Sequence, residues 1–180
     1  LLTALGDSLR RQDRHADAVP VLQQALGLTD DDTRVQVALG RSLLALNRPA
    51  EARPLFEAVL RRHTDQVGAL AGMAEALEME GRLADAGGYV LRAVAAAPDR
   101  PDLHVLLARL NLRAGRYEDA ENAASTAITL DDHAVDALRI AMRSAFGLGR
   151  LRRAAGYGDR LRAIVPGDAE ALSSIALIRV

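Results

Sequence analysis

The chain contains no cysteine, no lysine and no tryptophan. Without cysteine there is neither a disulfide framework nor thiolate chemistry, and cysteine usage selects no compartment. Without lysine all 23 basic residues are arginine, a bias that codon usage in a GC-rich, bacterial genome explains better than physics does. Aromatic residues are nearly missing, with two Phe and three Tyr. That leaves no platform on which nucleic-acid bases would stack. A formal net charge of −1 gives no bulk attraction to nucleic acid or to a membrane surface. No apolar run is long enough to span a bilayer. The first residue is Leu1 rather than Met and falls inside a helical pattern, as does Val180 at the other end. The expectation is therefore a fragment of a soluble protein, with cytoplasm and periplasm both open.

What is present is repetition. Gly115-Arg116-Tyr117-Glu118-Asp119-Ala120 recurs at a spacing of 34 residues. The copies are Gly81-Arg82-Leu83-Ala84-Asp85-Ala86, Asn47-Arg48-Pro49-Ala50-Glu51-Ala52, Asp13-Arg14-His15-Ala16-Asp17-Ala18 and Gly149-Arg150-Leu151-Arg152-Arg153-Ala154. A fixed period of this length marks a repeat architecture whose core runs along a stack. An Ala-, Leu- and Arg-rich composition favours helix. The periodicity predicts paired helices in units of about 1–32, 33–66, 67–100, 101–134 and 135–168, with part of a sixth over 169–180. The second helices should run His15 to Leu28, Pro49 to Arg62, Leu83 to Ala96, Tyr117 to Leu130 and Leu151 to Val165. Short connections force antiparallel neighbours.

Equivalent positions carry physical meaning. Asp13, Asn47, Gly81, Gly115 and Gly149 end the first helices, and these residue types best tolerate a left-handed backbone. Ala18, Ala52, Ala86, Ala120 and Ala154 keep one helix contact small. Gly6, Gly40, Ala74 and Ala108 mark a second small contact, with Leu22, Phe56 and Val90 supplying bulk opposite. In the fifth unit Met142 and Gly158 exchange these volumes, a swap that either compensates or loosens the unit. Pro20, Pro54, Gly88, Asn122 and Gly156 form a column of poor helix formers, with Pro expected just inside a tolerated first turn. Asp30-Asp31-Asp32 and Asp131-Asp132 read as caps.

Leu70, Met73, Ala74, Leu77, Gly81, Ala86, Val90, Ala93 and Pro98 carry a pattern that resembles the tetratricopeptide repeat family over residues 1 to 166. The resemblance implies an all-α, right-handed solenoid of antiparallel helical hairpins whose first helices line a concave groove. It also implies a non-catalytic protein-interaction scaffold. It does not extend to the family's group that clamps a terminal carboxylate with Lys and Asn, because Lys is absent and Asp7 and Ala38 stand where Asn is expected.

Helical spacing places a stripe opposite the packing positions His104, Leu107, Ala108 and Asn111. Its members are Val105, Leu106, Arg109, Leu112 and Arg113 in the fourth unit, Val37, Arg41 and Leu44 in the second, and Arg139, Arg143 and Phe146 in the fifth. Apolar side chains in such a stripe suggest a surface meant to be covered. The expected partner is a protein segment with acidic and apolar residues. An alternative use of the same charges is pairing along the stack, Asp7 with Arg41 and Glu75 with Arg109. Arg139 and Arg143 face Ser173 and Leu177 in the next unit, so they are the stronger candidates for ligand contact. Residues 139 to 162 hold seven Arg and one acid, Asp159. A phosphate-binding patch is one reading and a solvated helix face the other.

Catalytic constellations are not found. His15, His63, His104 and His133 occupy different repeat positions without metal-ligand spacing, and His104 is expected to pack. No nucleophile elbow or phosphate loop occurs. The expectation is no catalytic residue, no metal and no cofactor. Two further readings stand beside the scaffold: a recognition arm of a larger enzyme such as a glycosyltransferase or peptidase, and self-assembly through the end repeats.

Overall fold

A computed structural model describes residues 1–28 and 32–169. Among these residues there are ten α-helices and no strands. The first helices are α1 (Leu2–Arg11), α3 (Thr33–Ala45), α5 (Val67–Met79), α7 (Pro101–Arg113) and α9 (Val135–Gly147). Their partners are α2 (His15–Leu28), α4 (Pro49–Arg62), α6 (Leu83–Ala96), α8 (Tyr117–Leu130) and α10 (Leu151–Ile164). The predicted sixth first helix lies outside the described residues, as do Asp30, Asp31, Ser173 and Leu177. The chain divides into two compact units, Leu1–Ala96 and Ala97–Val180. In the first, α1–α2, α3–α4 and α5–α6 pack as hairpins, α2 also packs on α3 and α4 on α5, and α3 touches both α1 and α5. In the second unit α7–α8 and α9–α10 do the same, with α8 on α9 and α7 on α9. This is the helical-repeat architecture in each unit.

Each hairpin turns by one device. Asp13, Asn47, Gly81, Gly115 and Gly149 all have positive φ, between 57° and 79°. The residue after each donates its N–H back across the helix end: Arg14 to Leu9 O, Arg48 to Leu43 O, Arg82 to Leu77 O, Arg116 to Asn111 O and Arg150 to Ala145 O, all within 3.0 Å. That is the Schellman closure, which satisfies carbonyls the helix leaves unpaired. The repeated Arg then opens the second helix. Arg14, Arg48 and Arg82 bond Asp17, Glu51 and Asp85 one turn on, and Arg116 lies 3.9 Å from Asp119. The Arg48 guanidinium holds the Glu51 carboxyl below its usual range. A lowered folded value means this contribution is present above the ordinary glutamate pKa and is lost as pH falls through the folded one.

The small and large positions interlock. Ala18, Ala52, Ala86, Ala120 and Ala154 are fully buried. A Cβ on Gly6 would sit 2.5 Å from Leu22 Cδ2, and one on Gly40 would sit 2.5 Å from Phe56 Cζ. Gly72 on α5 is closer still to the same ring, so Phe56 fills a notch between two glycines of neighbouring hairpins. In the fifth hairpin Met142 is fully buried and Gly158 is buried, so the reversed volumes leave neither residue exposed. Ala120→Leu should therefore overpack the α7–α8 contact and destabilise by roughly 1–3 kcal/mol. Urea denaturation followed by circular dichroism checks this, and an unchanged midpoint would place the close approach elsewhere.

Two expectations change. Leu107 is only partly buried, at the edge of the core formed by Ala108, Ala124, Leu138, Ile140 and Met142. Pro20 and Pro54 lie at the sixth position of α2 and α4, beyond the first turn. Lacking an N–H, each leaves the carbonyl four residues earlier without its helical donor. Water can serve instead, because the whole column Pro20, Pro54, Gly88, Asn122 and Gly156 is exposed.

Candidate functional site

Most of the stripe predicted for the fourth and fifth hairpins meets in one open groove within the second unit. From α7 come Val105, Arg109, Leu112 and Arg113; from α9 come Asp136, Arg139, Ile140, Arg143, Phe146 and Gly147; Tyr117 closes one end. The cavity measures about 700 Å³. Helical spacing explains the grouping. Arg109 and Arg113 lie one turn apart on α7, as do Arg139 and Arg143 on α9, so each pair presents along one helix face. Val105, Leu112 and Ile140 form the apolar lining between them. Phe146 is 46 % exposed and Tyr117 39 %. Gly147 lets the Tyr117 ring approach: a Cβ there would lie 3.0 Å from Tyr117 Cδ1.

Other members of the stripe fall elsewhere. Leu106 and Leu44 are buried, so neither is an apolar anchor open to a ligand. The stripe was drawn as the whole face opposite the hairpin contact. A first helix between neighbours is covered on its flanks too, as α3 is by α1, α2, α4 and α5. Only a narrow strip stays open. Val37 and Arg41 are half-buried in the first unit, with Val37 Cγ1 3.1 Å from where a Gly68 Cβ would sit. The Asp7–Arg41 pair does not form. Asp7 turns instead to Arg10 on its own helix, at 3.6 Å, and Arg41 Nε is buried without a hydrogen-bond acceptor.

Arg139 is held more firmly than the sequence suggested. Its Nη2 and Nε donate to one oxygen of Asp168, at 2.7 and 3.0 Å, and Nη1 donates to Asp136 at 3.2 Å. Asp168 is buried. This partner comes from the turn after α10, whereas Ser173 lies outside the described residues. Arg139 therefore shapes the groove wall as one half of an ion pair.

The Arg-rich stretch 139–162 is largely neutralised by acids outside or within it. Arg150 donates to Glu121 at 2.7 Å and to Glu118 at 2.9 Å. Arg153 lies 3.0 Å from Glu121, and Arg162 donates to Asp159 at 3.2 Å. This supports a salt-bridged helix face rather than a phosphate patch. Glu121, which no sequence signal had singled out, is fully buried with Arg150, Arg153 and the Tyr157 hydroxyl around it. One clue existed: the fifth hairpin has Arg153 where the other four have an acid, so its two arginines need a carboxylate from another helix.

His104 is buried as expected, its Nε2 2.8 Å from the Pro98 carbonyl oxygen. Asp32 caps α3 by accepting from the Arg34 N–H at 2.9 Å. Asp131 caps a turn rather than a helix, accepting from the His133 N–H at 3.0 Å. With Asp132, adjacent in the chain, these two residues bring potential metal-ligand atoms within 4.8 Å of one another. All three are exposed, and the His133 ring already meets Asp132. Among the described residues no helix is long and apolar enough to cross a membrane.

Repeated antiparallel hairpins, closed by the same left-handed turn and packed through matching small residues, define a helical-repeat protein. Family models described as tetratricopeptide repeat match residues 1–36, 37–101 and 105–169, and the chain belongs to the tetratricopeptide repeat family. It is 30 % identical over 165 residues to cellulose synthase operon protein C of Xanthomonas axonopodis pv. citri (strain 306). That match covers 90 % of this chain and only 11 % of the relative. Among solved structures, a thermophilic TPR protein of Thermus thermophilus is similar with a TM-score of 0.78 at 20 % identity, covering 99 % of this chain and 97 % of that one. YrrB, described as a TPR protein with an unusual peptide-binding site, gives 0.75 at 17 % identity over 96 % and 89 %. PilF of Pseudomonas aeruginosa gives 0.84 at 15 % identity over 98 % and 86 %.

Proposed function

We propose that the chain is a non-catalytic interaction scaffold that holds a segment of a partner protein in the α7–α9 groove. The observation that carries this reading is the groove itself: about 700 Å³, with Phe146 and Tyr117 exposed beside Val105, Leu112 and Ile140. Exposed apolar side chains gathered in a concavity gain by being covered. Rigid helices on both walls position them before the partner arrives, which lowers the ordering cost of binding. A photo-crosslinking residue placed at Arg143, compared with one at Asn122 on the exposed column of α8, tests the reading. In cells of the source organism adducts should form from position 143 and be sparse from position 122. Equal labelling from both positions would remove the groove as the docking site.

The Xanthomonas relative favours a second, compatible reading. Because the match spans so little of that protein, this chain would act as one recognition segment within a larger polypeptide, in a setting of polysaccharide synthesis.

A further inference from the structure

We infer that the outer face of α1 takes the second helix of a further hairpin, one built like α2 and set in the same 34-residue register. This is a second docking surface, independent of the α7–α9 groove. Leu1, Ala4, Leu5 and Ser8 are exposed, Leu5 by 49 %. One period on, α3 holds Val35, Ala38, Leu39 and Ser42 at the same positions, and all four are buried. The neighbours explain the difference. α1 packs on α2 and α3; α3 packs on the equivalent α4 and α5 and, in addition, on α2 and α1. The positions that lose exposure between α1 and α3 are therefore those that a preceding hairpin covers. The same positions are buried in α5 and in α9.

A repeat that closes the end of a stack carries a polar outer face. The face of α1 is built the other way. Leu1, Ala4 and Leu5 are apolar, and Ala4, Leu5 and Ser8 are identical to Ala38, Leu39 and Ser42 of the α3 seam. Nor does the one hydroxyl obstruct burial. Ser42 Oγ donates to the Ala38 carbonyl oxygen at 3.0 Å. Ser8 can turn to the Ala4 carbonyl in the same way, leaving no unpaired polar atom. The likeness to α3 also selects the occupant, because the preceding helix on α3 is α2, whose buried residues include Ala18, Leu22 and Ala25. An α4-type helix fits less well. Its Phe56 ring needs the bare backbone of Gly72, and Ala4 stands at that position of α1. Two copies of the chain meeting through α1 are disfavoured by size. The ten residues of α1 span about 15 Å, too little to bury the roughly 800 Å² per partner of a stable dimer. A hairpin linked in sequence docks intramolecularly and needs far less area.

Duplicating residues 1–34 ahead of Leu1 provides the test, because it sets a second α2 against α1 in the register that α2 has with α3. Hydrogen exchange of the original α1 amides is the readout, with helix content followed by circular dichroism. The expected result is added helix and exchange slowed at least about tenfold in the original α1. Ala4→Glu in the original α1 should abolish that slowing. In the unextended chain the same substitution falls on an exposed residue, and α1 exchange should stay within about twofold of wild type. A different extension, residues 35–68, sets Phe56 against Ala4 and should slow exchange much less. A 1–34 extension that adds no helix, or leaves α1 exchange unchanged, overturns the inference. Equal slowing by both extensions overturns the α2-like occupant, and slowing that survives Ala4→Glu overturns the face. Self-association of the unextended chain in light scattering, abolished by Ala4→Glu, gives the face to a second copy and overturns the inference as well.

Discussion

Phe56→Ala is expected to destabilise the first unit by about 3–5 kcal/mol, toward the upper end of that range. The size of the loss depends on how far the surroundings can close over the missing ring. Here they cannot. Phe56 is fully buried, and the atoms facing its ring edge belong to Gly40 on α3 and Gly72 on α5. Neither glycine has a side chain to swing into the space, and both helices are held by Schellman-closed turns and by their own second helices. The void should persist, with its lost dispersion contacts. The same geometry predicts a reversal. Gly72→Ala should overpack the wild type by roughly 1–3 kcal/mol, yet be neutral or stabilising beside Phe56→Ala, because the added methyl enters the space the ring left. Urea titration of the four proteins gives the coupling. Additive effects would mean that ring and glycine do not share one space.

The second large effect concerns the buried carboxylate of the second unit. Removing Arg150 and Arg153 together leaves Glu121 charged, dry and without its guanidinium partners. Stranding a buried charge of this kind is destabilising by about 3 kcal/mol or more. The reverse substitution should be milder, because both arginines are substantially open to water and can rehydrate once Glu121 is gone. Arg150→Ala with Arg153→Ala should therefore melt well below wild type, and adding Glu121→Leu should recover much of the difference. Thermal denaturation followed by circular dichroism reads both steps. No recovery in the triple variant would show that the arginines act through packing of their stems rather than through the charge of Glu121.

How much of this was written in the sequence depends on whether a residue's role is set by its place in the repeat. The left-handed turns at Asp13, Asn47, Gly81, Gly115 and Gly149 were legible because backbone sterics select few residue types there. The helix bounds followed to within a residue, and so did the buried alanines. The groove was partly legible: Val105, Arg109, Leu112, Arg139, Arg143 and Phe146 line it, as the helical spacing indicated. Leu44 and Leu106 were misplaced because periodicity assigns a face without counting how many neighbours cover it. The Arg139–Asp168 and Arg150–Glu121 pairs link positions about one repeat apart. Long side chains choose among several carboxylates within reach, and only coordinates settle which. The 34-residue spacing aligns like with like, so it draws attention to equivalent positions such as Asp7 and Arg41 even where a nearer partner such as Arg10 wins.

The ring of Phe56 means that these hairpins, equal in length, are not interchangeable parts. Excising residues 67–100 would keep the period intact and join the second hairpin directly to the fourth. It would also bring Leu106, 34 positions after Gly72, to the spot where α5 now offers a bare backbone. A leucine there would drive into the aromatic ring it was meant to shelter. The order of modules is thus encoded in their seams, and shortening the array requires re-cutting the joint as well as removing a piece.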